Sequence, residues 1–120
     1  MLLIDDQLDY VQPMAFWFKS KGYSVTVATN AEDVLKVLQE NTPDIIFLDI
    51  IMPVVDGPAM LKLIRHVNET VPVIMMSSYI EDHRQDKKVD PYGVSGTYFK
   101  GDDFSQALTL VESILKTGSN

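Results

Sequence analysis

The sequence lacks cysteine, and it also lacks any apolar stretch long enough to cross a bilayer. Without cysteine, disulfide bonds, thiolate catalysis and cysteine-ligated metals are excluded. No apolar run approaches the roughly 20 residues of a transmembrane helix. The first residues have no basic region and reach Asp5 and Asp6 too early for a signal peptide. We therefore expect a cytoplasmic protein with no membrane association.

Positive charge is scarce as well. The chain has 10 Lys and Arg against 17 Asp and Glu, which gives a formal net charge of −7. A chain of this charge repels the phosphates of nucleic acids. We expect no direct nucleic-acid binding by this domain, although a DNA-binding domain could be fused to it in a longer protein.

The composition is that of an ordinary globular domain. The chain has 120 residues, of which 46% are hydrophobic and 22% are charged. This length fits one domain with a sizeable core, and the hydrophobic content argues against disorder. We expect a single domain over residues 1–120.

Short apolar runs alternate with segments of helical periodicity. The strand-like runs are residues 2–4, 23–28, 45–48, 73–76 and 98–99. Helical spacing appears in residues 8–18, 34–38, 60–67 and 104–115. Pro13 lies inside the first helical pattern, so this helix either begins late or is kinked. Thr29 and Glu32 have the spacing of a capping box, and Asp102 or Asp103 is the expected N-cap of the last helix.

One segment breaks the alternation. Residues 81–88 read Glu-Asp-His-Arg-Gln-Asp-Lys-Lys and contain no apolar side chain. A helix is expected here from the alternation, but it would have almost no face to bury. We expect this segment to be short, mobile or irregular.

The order of elements predicts an α/β fold. Five β-α units form a parallel sheet with helices on both faces, and the flavodoxin-like (βα)5 three-layer sandwich with strand order 2-1-3-4-5 is one common solution. In such sheets, ligands bind beyond the carboxyl ends of the strands, near the switch point between strands 1 and 3.

Polar residues follow four of the predicted strands. Strand 1 ends in Asp5-Asp6, strand 3 in Asp49, strand 4 in Ser77 and strand 5 in Lys100. Carboxylates that converge repel one another unless a cation or protons intervene. Mg²⁺ meets that need with few protein ligands and several waters. One carboxylate can then attack phosphorus, while Mg²⁺, the lysine and the serine hydroxyl share the charge on the phosphoryl oxygens.

These residues, taken together, resemble the receiver domain of bacterial two-component response regulators. The resemblance covers essentially the whole chain, and it is carried by the ordered set Asp5-Asp6, Asp49, Met52-Pro-Val-Val-Asp-Gly57, Ser77 and Lys100. It implies a phospho-acceptor module that receives phosphate from a sensor histidine kinase or a histidine phosphotransfer protein. It further implies an output domain or downstream protein as a partner. Oligomeric state stays open, although members of this family can form homodimers.

The resemblance also implies a role for each site residue. Asp49 would be the phospho-acceptor. Asp6, Asp49 and the backbone carbonyl of Ile51 would bind Mg²⁺ directly, and Asp5 would act through water. Ser77 would be the switch hydroxyl that follows the phosphoryl group, and Lys100 would pair with that group or, before it arrives, with Asp49.

Two residues near Lys100 depart from the family pattern. The family usually has proline after the lysine, joined by a cis peptide, whereas Gly101 stands here. Because a cis bond before a non-proline residue costs ~2.5–4 kcal/mol, we expect a trans Lys100–Gly101 peptide. The family often has an aromatic switch residue three positions before the lysine. That position is Thr97, and the aromatic residue is Tyr98.

Three other functions are weighed against this interpretation. A degenerate receiver that only binds proteins is the main alternative. A Mg²⁺-dependent phosphohydrolase typically needs an aspartate two residues after the nucleophile, where this chain has Ile51. A flavin or nucleotide carrier needs a Gly- or Ser/Thr-rich loop after strand 1, where Asp5-Asp6-Gln7 would repel phosphate.

The lifetime of the phosphorylated aspartate gives a first prediction. Ile51 and Tyr79 occupy the positions that tune this lifetime in the family, and neither can orient an attacking water. We predict slow autodephosphorylation. Replacing both residues with small or polar ones should speed the loss of phosphate, which a time course of the phosphorylated fraction measures. An unchanged decay rate would contradict this hypothesis.

Overall fold

The computed structural model describes residues 1–50, 52, 56–78 and 93–118. Within these residues the chain forms five strands and four helices. The strands are β1 Leu2–Ile4, β2 Thr26–Ala28, β3 Ile46–Asp49, β4 Val73–Ser77 and β5 Gly96–Phe99. The helices are α1 Leu8–Ser20, α2 Ala31–Glu40, α3 Gly57–Val67 and α4 Phe104–Gly118.

All strand pairs in the sheet are parallel. The strand order is β2-β1-β3-β4-β5, which confirms the predicted flavodoxin-like topology. The register brings the carboxyl ends of the strands to one edge, because Ile4 pairs with Leu48, Asp49 with Met76 and Ser77 with Phe99. Any polar residue at or just beyond these positions therefore lies on the same edge of the sheet.

Two apolar cores lie on opposite faces of the sheet. On one face, Ile4 and Leu48 pack with α2 and α3 residues such as Val34 and Met60. The other face carries Leu3 and Phe47, with residues of α1 and α4, among them Phe18 and Val111. Successive side chains of a strand point to opposite faces, so a central strand needs apolar residues at every position. This explains why β1 and β3 are continuous apolar runs, and it confirms three layers.

The first helix resolves the ambiguity at Pro13. Helix α1 begins at Leu8, and the backbone N–H groups of Tyr10 and Val11 donate to the Gln7 carbonyl oxygen at 3.0 Å. The late start is therefore wrong, and Pro13 lies inside the helix. Proline there removes one helical hydrogen bond. Burial of the apolar face of α1, which includes Val11 and Phe18, offsets this loss.

Other boundaries differ from prediction by a few residues. The N-cap of α2 is Asn30 and not Thr29, since Asn30 Oδ1 accepts a hydrogen bond from the Asp33 N–H at 2.8 Å. Strand β2 begins at Thr26 and not at residue 23, because the Tyr23 N–H donates to the Phe18 carbonyl at the end of α1. The region 81–88, where an irregular helix is expected, lies outside the described residues.

In the described part of the chain, no helix combines the length and the apolar character needed to cross a membrane. The described residues also contain no cis peptide bond, so the Lys100–Gly101 peptide is trans, as expected.

A very close backbone contact fixes the start of α3. The Gly57 N–H donates to the Ile50 carbonyl oxygen at 2.6 Å, and Asp56 caps the helix by accepting from the Ala59 N–H. A Cβ atom at Gly57 would lie 2.6 Å from both the Cα and the carbonyl oxygen of Ile50. These are backbone atoms, so they cannot move aside as a side chain would. Glycine is therefore required where the chain returns from the end of β3.

We predict that Gly57→Ala lowers the free energy of unfolding by about 1–3 kcal/mol, the range for an overpacked site. Urea unfolding followed by circular dichroism measures this. Gly101→Ala is the matched control, because a Cβ there meets no atom within 4 Å. We expect it to change stability by less than about 0.5 kcal/mol. Equal stability of the two variants would contradict the close-contact argument.

Candidate functional site

Asp49 lies at the carboxyl end of a buried strand. It is the last residue of β3 and is 4% exposed, and the Ile50 N–H that follows it donates to the Met76 carbonyl of β4. The two sheet neighbours of β3 are β1 and β4. The position of Asp49 is therefore set by the central sheet and not by a loop.

Three carboxylates form an acidic cluster, which we define as Asp5, Asp6 and Asp49. Each offers one oxygen that lies within 4.8 Å of the others. Asp5 follows β1, is fully buried, and its Oδ1 accepts from the Gln7 N–H at 2.8 Å. Asp6 is half-buried and lies nearer solvent. Hard oxygen ligands of this spacing, partly open to water, fit the way Mg²⁺ binds through a few carboxylates while keeping several waters.

Lys100 connects β5 to the acidic cluster. Its Nζ lies 2.7 Å from Asp5 Oδ2 and 3.2 Å from Asp49 Oδ2, and its side chain is 7% exposed. The Lys100 N–H donates to the Ser77 carbonyl at 2.9 Å, which ties the lysine backbone to the end of β4. The lysine is therefore held between two carboxylates from the two central strands.

Ser77 carries an unused hydroxyl. It is the last residue of β4 and is 2% exposed, and its Oγ has no hydrogen-bond partner among the described residues. A buried polar atom without a partner costs about 1–3 kcal/mol. Such an atom at the edge of a charged site is placed to bind a group that enters the site.

The charges of the site do not balance. The acidic cluster contributes three carboxylates, and Lys100 is the one cation that the described residues bring into ion-pair contact with it. By formal charge, these described side chains therefore carry two excess negative charges, with Asp5 and Asp49 buried and Asp6 half-buried. A divalent cation would neutralise them, and the chemistry of the donor set fits that ion.

The ring of Tyr10 packs on the lysine, and Tyr98 lies next to Tyr10. Lys100 Nζ lies 5.0 Å from the centroid of the Tyr10 ring, and the Tyr98 hydroxyl donates to the Asp102 carbonyl at 2.5 Å. Burial raises the pKa of Tyr10 far above its ordinary value, and the nearby Tyr98 hydroxyl adds to this shift. Burial also raises the pKa of Tyr98. Both phenols are therefore neutral at any ordinary pH.

The structure brings together five of the six residues that the sequence nominated. Asp5, Asp6, Asp49 and Lys100 cluster, and Ser77 ends the neighbouring strand β4. The sixth, Ile51, lies outside the described residues, as does Tyr79.

Two more contacts of Lys100 were missed by sequence analysis. They are Gln7, whose Oε1 accepts from Lys100 Nζ at 2.8 Å, and the ring of Tyr10. Their i and i+3 spacing at the start of a helix was the available signal. That signal could not reveal which side chain they face.

Comparisons with known proteins agree with this geometry. A family model described as the response regulator receiver domain matches residues 1–112. The response regulator SaeR of Staphylococcus epidermidis is 32% identical over 83 residues, which make up 69% of this chain and 36% of that protein. The transcriptional regulatory protein PrrA of Mycobacterium tuberculosis is 33% identical over 78 residues, or 65% of this chain and 34% of that protein. The chain thus spans about a third of the length of these relatives.

A solved structure gives the same result for the fold. The crystal structure of a two-component response regulator from Clostridium difficile has a TM-score of 0.89 and 28% sequence identity. The match covers 99% of this chain and 97% of that one.

We predict that Lys100→Met lowers the free energy of unfolding in EDTA by about 3 kcal/mol, because it leaves buried carboxylates without their cation. Urea titrations with and without Mg²⁺ measure this. Mg²⁺ should stabilise the variant more than the wild type, since Lys100 then no longer competes with the ion for the carboxylates. Lys36→Met, on the exposed face of α2, is the matched control. A similar loss in both variants would show that the ion pairs contribute nothing specific.

Proposed function

Because the chain belongs to the response regulator receiver domain family, we propose that Asp49 accepts a phosphoryl group from a sensor histidine kinase or a histidine phosphotransfer protein. The acceptance depends on Mg²⁺ and changes the conformation of the domain and its binding to partners. The domain catalyses only its own phosphorylation and dephosphorylation.

One observation carries this proposal: Asp5 and Asp6 each place an oxygen within 4.8 Å of the buried Asp49 carboxylate, which Lys100 contacts at 3.2 Å. A nucleophilic carboxylate needs positive charge nearby to approach an anionic phosphoryl donor. Lys100 and a cation bound by the acidic cluster would supply it. The unpartnered Ser77 hydroxyl supports the same interpretation, because it lies at the end of the neighbouring strand.

The reaction follows from the roles of the side chains. An Asp49 oxygen attacks phosphorus, and the bond from phosphorus to the donor breaks as the aspartyl phosphate forms. Lys100 releases Asp49 and donates to a phosphoryl oxygen, while the Ser77 hydroxyl donates to another. Because Ser77 Oγ has no hydrogen-bond partner among the described residues, its hydrogen bond to the phosphoryl group breaks none of the contacts seen there.

The ligands of Mg²⁺ are part of the proposal. Asp6, Asp49 and the backbone carbonyl of Ile51 would bind the ion directly, and Asp5 would act through water. When bound, Mg²⁺ neutralises charge on the carboxylates and on the transferring phosphoryl oxygens. The Asp5 side chain is fully buried and paired with Lys100, which suits an indirect role better than direct coordination.

Phosphorylation would then act as a switch. Movement of Lys100 and Ser77 toward the phosphoryl group shifts an equilibrium between two conformations of the domain. An output domain or a downstream protein responds to this shift, and a homodimer is one form in which the domain would act. Thr97, which stands at the position of the family's aromatic switch, is exposed on β5 and has no aromatic ring that could turn inward.

Direct phosphorylation tests the proposal. We predict that incubation with acetyl phosphate and Mg²⁺ gives one phosphoryl adduct by intact-mass analysis. The adduct should be absent from Asp49→Asn and from samples in EDTA. Asp44→Asn, at the opposite end of β3, is the matched control and should be phosphorylated like the wild type. No adduct on the wild type, together with no Mg²⁺ binding, would instead favour a degenerate receiver that only binds proteins.

A further inference from the structure

The beginning of α1 surrounds the ammonium group of Lys100. Gln7, the N-cap residue of α1, accepts from Lys100 Nζ at 2.8 Å, and the ring face of Tyr10 lies 5.0 Å away. Residues three apart at the start of a helix lie on one side of it. A cation within about 6 Å of a ring centroid is attracted to the ring face. The two side chains therefore bind the same group from the same helix turn.

Gln7 makes the shortest directed hydrogen bond to Lys100. The bond to Gln7 Oε1 is 2.8 Å, against 3.2 Å for the bond to Asp49 Oδ2. Asp5 Oδ2 lies at 2.7 Å but accepts no directed hydrogen bond among the described residues, so that contact is electrostatic. Of the three oxygens that contact Lys100 Nζ here, Gln7 Oε1 is also the one that belongs to a neutral group. It alone is not needed to bind a cation or to attack phosphorus.

The Gln7 backbone and the Tyr10 ring are themselves held in place. The Gln7 N–H donates to Asp5 Oδ1 at 2.8 Å, which fixes the backbone from which the amide extends. The Tyr10 ring packs edge-on against Phe104 of α4, with centroids 5.9 Å apart. By contrast, Gly101, the residue after Lys100, has no atom within 4 Å of where a Cβ would be. Since no side chain packs at the residue after the lysine, the contacts of the Lys100 side chain itself are what hold the ammonium in place.

We propose that Gln7 and Tyr10 are positioning residues for Lys100. They hold its ammonium beside Asp49 when Asp5 and Asp49 turn their oxygens to a cation and a phosphoryl group. This inference rests on the proposed phosphoryl-acceptor function. A divalent cation in the acidic cluster weakens both ion pairs of Lys100 and repels its charge. The neutral amide and the ring are unaffected by that change, so they keep the ammonium beside Asp49.

The position of the ammonium can be observed without any reaction. Protons that lie over a ring face shift upfield, so the Cε protons of Lys100 should do so in NMR spectra of the wild type. We predict that the shift persists at saturating Mg²⁺, survives in Tyr10→Phe, and is lost in Tyr10→Leu. Movement of the wild-type signal to an ordinary lysine position on adding Mg²⁺ would overturn the proposal.

Kinetics with Gln7→Met test the amide. Methionine keeps the length of the side chain and the backbone N–H to Asp5, and it removes the acceptor. We predict roughly three- to tenfold slower phosphorylation by acetyl phosphate, a modest effect because Gln7 is exposed and water replaces part of a lost hydrogen bond. Gln12→Met makes the same change on an exposed part of α1 and should not slow the reaction.

Magnesium affinity separates positioning from structural damage. Gln7→Met should bind Mg²⁺ as tightly as the wild type or more tightly, because a less localised Lys100 competes less for the carboxylates. Weaker Mg²⁺ binding together with slower phosphorylation would show a disrupted site and refute the positioning role, as would an unchanged rate. If the wild type itself takes no phosphate, the proposed function fails, while the NMR measurement still decides where Lys100 lies.

Discussion

The competition of three carboxylates for one ammonium is the constraint on which the rest of this molecule depends. Asp5, Asp6 and Asp49 have oxygens within 4.8 Å of one another, and Lys100 contacts two of the three carboxylates. Burial of such a set is unfavourable unless each charge has a partner. The site therefore gains free energy from a cation that neutralises its excess carboxylate charge.

The sheet is what forces these charges together. Apolar cores cover both faces of the sheet. The register of its strands places Asp49, Ser77 and the residues after β1 and β5 on one edge. The free energy that offsets charge repulsion comes from the two cores and not from the site. Gly57 belongs to the same arrangement, because its close contact with Ile50 returns the chain sharply from the end of β3 into α3.

Sequence reasoning succeeded where a position depends on local pattern. A buried parallel strand is a short apolar run, so the polar residue that ends it is visible, and the strand ends at Asp49, Ser77 and Lys100 were predicted from this. It failed at Thr29 because neighbouring Asn30 offers an equally good cap, and only the backbone direction decides between them. It also missed Gln7, whose partner Lys100 lies 93 residues away. No local pattern contains a contact of that range.

Exposed and buried side chains alternate along β5. This alternation limits how a structural change at Lys100 could reach the rest of the domain. Thr97 is exposed, whereas Tyr98 is 2% exposed and packs edge-on against Phe47 with centroids 6.3 Å apart. The Tyr98 hydroxyl is bonded to the Asp102 carbonyl, so turning this ring would break both core packing and a hydrogen bond. A single aromatic rotation on β5 is therefore costly. At Gly101, by contrast, a Cβ atom would meet no other atom within 4 Å, so a displacement of that short connection to α4 would disturb no side-chain packing at this residue.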